Sequence, residues 1–149
     1  MHSMAAAPQT IPTTLRFGRI VWSVLLASQL LYSFGLNRLI HQLSIGHPVP
    51  PNAFVIGMNC TAIFELAFGI FAYVRLVGRS CRTLASNPSD ARALLRWRQG
   101  MILTCVMAET VVMTGFALRV QGALPTQSFP TIAVGIGAML LFYPKAPTN

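Results

Sequence analysis

Apolar residues in this chain gather in four long runs instead of recurring at the three- or four-residue spacing of a helix with one wet face. The first run extends without a charge from Ile20 to Asn37 and is preceded by Arg16 and Arg19. The second, from Asn52 to Val74, is interrupted only by Asn59, Thr61 and Glu65, and Arg75, Arg79 and Arg82 follow it. The third turns apolar at Gly100, continues to Leu118 and holds Glu109. The fourth extends from Ser128 to Tyr143 and stops at Pro144-Lys145-Ala146-Pro147. A membrane-crossing helix needs about 20 mostly apolar residues, with a lower limit near 17. The pattern therefore predicts helices spanning residues 18–38, 53–75, 100–120 and 128–143, the last of them marginal. The expected fold is all-α, a four-helix antiparallel transmembrane bundle.

The segments between the runs carry turn chemistry. The prolines of His47-Pro48-Val49-Pro50-Pro51 forbid helix continuation. Asn87-Pro88 reads as an N-cap followed by Pro at the first helical position, opening the third helix. Gly122 and Pro125 end that helix. Residues 1–15 show no periodic apolar face and are expected to form a flexible tail, with residues 16–149 as one transmembrane domain. No small-x-small cleavage site follows the first run, which ends in Leu36-Asn37-Arg38, so it reads as an uncleaved span.

Composition strengthens the membrane reading. Charged residues make up 9% of the chain and hydrophobic residues 54%. A water-soluble domain carries about 25% charged residues, so lipid is the solvent these surfaces suit. The net charge of +8 does not point to nucleic acid, because the arginines sit at the ends of apolar runs without aromatic partners. There they set orientation. The N-terminal flank, the loop between the second and third runs, and Lys145 hold nine positive residues, whereas Arg38 and Arg119 are alone on the other side. The expected location is the cell inner membrane, with both termini cytoplasmic. Arg75, Arg79 and Arg82 are candidates for contact with anionic lipid headgroups at that face. Trp22, Tyr73, Trp97 and Tyr143, near the run ends, read as interfacial anchors.

Candidate chemistry is confined to few residues. The three cysteines show no CxxC spacing, and the three histidines lie outside the apolar runs. No nucleophile–base pair, phosphate loop or haem ligand set is apparent, so the chain reads as a non-enzyme without a cofactor. Two of its three acids, Glu65 and Glu109, lie near the middle of apolar helices. A charge at that depth costs roughly 2.5–3.5 kcal/mol, so both carboxyls are expected to face other helices. Thr61, Ala62 and Gly69 share the Glu65 face and allow close approach. Gln29 lies at the midpoint of the first run, with Ser33 one turn along. Gln29, Glu65 and Glu109 are thus expected to form one polar layer at a common depth. Apolar surroundings favour the protonated form of a carboxyl, and a second carboxyl nearby adds to the effect. Such a layer suits proton or cation binding. The bland reading is that the carboxyls only bridge helices, in a structural or assembly subunit of a larger membrane complex or homo-oligomer.

The stretch Ala108-Glu109-Thr110-Val111-Val112-Met113-Thr114-Gly115-Phe116-Ala117-Leu118 resembles the ion-carrying helix of rotary ATP synthase proteolipid (c-type) subunits. There too an acid sits mid-helix in an Ala-rich stretch with Gly six positions on. The resemblance implies that Glu109 is the ion-binding carboxylate. The Gly-rich first helix of those subunits has no counterpart here. Their Arg-Gln-Pro loop is represented only by Arg98-Gln99-Gly100, closer to the acid.

Overall fold

A computed structural model describes residues 10–36, 38–39 and 50–145. Its helices are α1 (Ile11–Leu31), α2 (Asn52–Ala72), α3 (Arg79–Ser86), α4 (Ala91–Val120) and α5 (Pro125–Leu141). A π-helical turn, Tyr32–Leu36, extends α1, and a second, Tyr73–Gly78, joins α2 to α3 in one continuous rod. The protein is thus all-α, and the elements named here form four helical rods among the described residues. Three of them (Ile11–Gly35, Asn52–Ser86 and Ala91–Val120) are long and apolar enough to cross a membrane. At about 1.5 Å per residue, the 17 residues of α5 reach about 26 Å, short of the roughly 30 Å hydrocarbon core.

The helix starts depart from the sequence pattern in two places. The first helix begins at Ile11, within the stretch expected to be a flexible tail. Thr10 N donates to Thr13 Oγ1 at 3.0 Å, and Pro12 fits the first turn, where no N–H is required. Residues 1–9 of that expected tail lie outside the described residues. Asn87 is not the N-cap of the third rod but the residue that ends α3, its backbone extended as a residue before proline prefers. The N-cap is Asp90, whose carboxylate accepts from Arg92 N at 2.9 Å and Ala93 N at 3.0 Å. The end of α4 follows the expected signal. Gly122 takes φ 87°, and Gly122 N and Ala123 N donate to Arg119 O and Leu118 O at 3.1 and 3.0 Å. This is a Schellman closure, in which a positive φ favours glycine.

Successive rods run antiparallel, and α4 is the hub. It packs on α5, α2, α1 and α3, whereas α1 and α2 scarcely touch each other. Two glycines let α5 close on α4. A Cβ at Gly115 would lie 2.6 Å from Ile132 Cγ1, and one at Gly135 would lie 2.9 Å from Val112 N. Close backbone approach of this kind is how membrane helices gain packing when burial from water offers nothing. Gly135 belongs to the contact, but Gly137 has nothing within 4 Å and Ala133 is exposed. The second rod closes on α4 where its π turn lies. A Cβ at Gly100 would lie 2.7 Å from Leu76 Cβ. Below this point Val77, Leu84, Ala93, Leu94, Trp97 and Met101 form one cluster. Trp97 is therefore a core residue, only 1% exposed, and not the interfacial anchor its position suggested.

Candidate functional site

The mid-membrane polar residues divide between two flanks of α4. On the α1 flank, Ser28 Oγ lies 2.8 Å from Glu109 Oε1. Leu25 and Leu26 of α1 pack beside Cys105 and Ala108 of α4, and Tyr32 packs on Val112 and Phe116. These contacts fix the depth at which Ser28 meets Glu109. Gln29 is next in the chain and fully buried. Among the described residues, both of its amide atoms, Oε1 and Nε2, lack hydrogen-bond partners, as do Glu109 Oε2 and Ser33 Oγ. Buried polar atoms of this kind are normally satisfied.

On the α2 flank, Thr114 Oγ1 lies 3.3 Å from Glu65 Oε2 and 3.0 Å from Thr110 O. Gly69, one turn beyond Glu65, packs on α4, where an added Cβ would sit 3.0 Å from Met107 Cβ. Of the small residues expected on the Glu65 face, Ala62 and Gly69 are buried, whereas Thr61 is exposed. The partners of the two carboxyls diverge around that helix. Positions 109 and 114 are about 140° apart at 100° per residue. No hydrogen bond among the described residues joins Glu65 to Glu109. The structure brings each acid to a helix contact but gives the two separate hydroxyl partners, with Gln29 on α1. Further along the same flank, Thr131 Oγ1 of α5 donates to Asn59 Oδ1 of α2 at 2.6 Å, while Asn59 Nδ2 donates to Val55 O. Sequence reasoning noticed Asn59 but assigned it no partner.

Ser28 is the site residue that the sequence did not mark. Its hydroxyl is 2.7 Å from Leu25 O as well as 2.8 Å from Glu109 Oε1. A serine hydroxyl has one hydrogen and two lone pairs. It cannot donate to a carbonyl and to a carboxylate together. At most one of these two contacts is therefore a donation by Ser28. A one-residue offset from Gln29 hid it, because Ser in an apolar run usually bonds its own helix.

At the basic end, Arg75, Arg79 and Arg82 are all exposed. The Arg75 guanidinium carbon lies 5.3 Å from the Phe71 ring centroid. Trp22 Nε1 donates to Met139 O at 2.7 Å and meets Tyr143 edge to face at 5.0 Å, tying α1 to the end of α5. No protein-family model, curated protein or solved structure matches the chain.

Proposed function

We propose that this is a small membrane protein that holds and releases a proton at Glu109, within a bundle crossing the inner membrane four times with both termini cytoplasmic. The reading rests on the Ser28 hydroxyl lying within hydrogen-bond distance of both Leu25 O and Glu109 Oε1. In the loaded state Glu109 donates to Ser28. On release, the Ser28 hydrogen must rotate from Leu25 O to the new carboxylate, so the serine couples the α1 backbone to the charge on α4. Glu109 Oε2, buried and without a hydrogen-bond partner among the described residues, is a further open acceptor at the site. It suits a water or a cation as well as a proton. The local likeness of residues 108–118 to a proteolipid ion-carrying helix favours the same residue.

Infrared spectra of the protein in lipid, with and without Glu109→Gln, test this reading. The wild type should show the carbonyl stretch of a protonated carboxylic acid that the variant lacks. Hydrophobic carbodiimide, which needs the protonated acid, should modify Glu109. A correctly inserted Glu109→Gln variant should lose proton exchange. Absence of both the stretch and the labelling would eliminate the proposal. The second reading, a structural or assembly subunit, draws on the outward aromatic stripe of Phe64, Phe68 and Phe71. Under that reading Glu109→Gln is tolerated, and changes in the stripe release a partner.

A further inference from the structure

We propose that the cleft at Arg119 binds an anionic membrane phospholipid, the phosphate on the guanidinium and the acyl chain along the cleft wall. Arg119 lies at the end of α4 away from the basic segment and is only 8% exposed. Its Nη1 donates to Ala123 O at 2.8 Å, and its buried Nε has no acceptor among the described residues. The chain has only three acids, and each is committed elsewhere. Glu65 meets Thr114, Glu109 meets Ser28, and Asp90 caps the opposite end of α4. No carboxylate side chain remains to balance this cation. A buried charge without a counter-ion is costly, so an anion from outside is favoured here. The Nε/Nη2 edge has the fork geometry that matches two phosphate oxygens.

The surroundings select the kind of anion. Ser33, Phe34, Phe116, Phe129 and Ile136 line a cleft of about 280 Å³ together with Arg119. Its walls are almost wholly apolar, unsuited to a free hydrated ion and suited to an acyl chain. Ser33, whose Oγ is buried without a partner among the described residues, also lines the cleft. Depth agrees. Arg119 is ten residues, about 15 Å, along α4 from Glu109. That is half of a hydrocarbon core about 30 Å thick, which places the guanidinium at headgroup level if Glu109 lies at the centre. From there α5 descends past Ile132 to Ile136, following the path of a lipid tail.

The test is native mass spectrometry of the full chain from non-ionic detergent, with phosphatidylglycerol, phosphatidylcholine or inorganic phosphate added. Phosphatidylglycerol should be retained about tenfold or more over phosphatidylcholine, and Arg119→Met should remove that preference. Arg79→Met, at the other end of the bundle, should leave it. Ala133→Phe fills the cleft from an exposed position without touching a charge, so it should lower retention even if Arg119→Met fails to fold. Three results would each overturn the proposal: equal retention of both lipids, retention unaffected by Ala133→Phe in the folded protein, or displacement of the lipid by millimolar inorganic phosphate.

Discussion

Gly135 and Gly137 lie two residues apart on α5 and have opposite surroundings. An added Cβ at Gly135 would meet Val112 Cγ2 at 2.5 Å and Val112 N at 2.9 Å, whereas one at Gly137 meets nothing within 4 Å. Backbone cannot yield as a flexible side chain can, so Gly135→Ala should destabilise by about 1–3 kcal/mol. Gly137→Ala should be neutral or gain up to about 1 kcal/mol from helix propensity. Thermal unfolding in mild detergent distinguishes the two, and equal effects would mean that the α4–α5 contact is wrongly described. Gly69→Leu should also destabilise, because Met107 already occupies the space. The sequence shows both α5 glycines but not which one faces α4, because composition names a residue but not its azimuth. It likewise found Glu109 but missed Ser28. A carboxyl in an apolar run is conspicuous, whereas a serine one position from a glutamine gains meaning only once α1 is docked.

At the level of elements, the apolar runs were legible and their edges were not. Hydropathy registers what lipid or protein covers, so it located the middle of every rod. It is blind to the wet turns of α3 and the start of α4, where Asn87-Pro88 offered a cap signal that Asp90 in fact fulfils. Asp90→Ala should cost about 0.5–2 kcal/mol through loss of the two N–H acceptances at the start of α4. Asn87→Ala should cost less, since no side-chain hydrogen bond of Asn87 supports either helix. The π turn at Tyr73–Gly78 was equally hidden, because one widened turn leaves hydropathy unchanged while redirecting every side chain after it. Its packing on Gly100 predicts that Gly100→Leu separates the second rod from α4, exposing buried Trp97 to a fluorescence quencher in the aqueous phase.

For the whole molecule, arrangement and orientation come from different sources. Arrangement follows from the helix contacts. The proposed orientation rests on the distribution of positive residues, nine against two. Reporter fusions at Ser86 and Lys145 should report cytoplasm, and one at Pro125 should not. Gly46, a natural fourth point, lies outside the described residues. A cytoplasmic signal at Pro125 would show that α4 does not cross. The hub position of α4 was beyond reach of the sequence, since all the runs are apolar and hydropathy alone does not rank which one is surrounded by the others.

That α1 and α2 scarcely touch, while both dock on α4, has a consequence for synthesis. The ribosome delivers the two flanking helices first and their common partner later. Until α4 emerges, Gln29 and Glu65 must reside in the bilayer or its insertion machinery without the neighbours they have in the finished protein. Docking of α1 and α2 therefore waits for α4, and a chain interrupted at Ser86 would lack the partner on which both pack. Such a fragment has no mutual interface to hold its two spans together, and it offers unmatched polar groups to any quality-control protease that surveys the membrane.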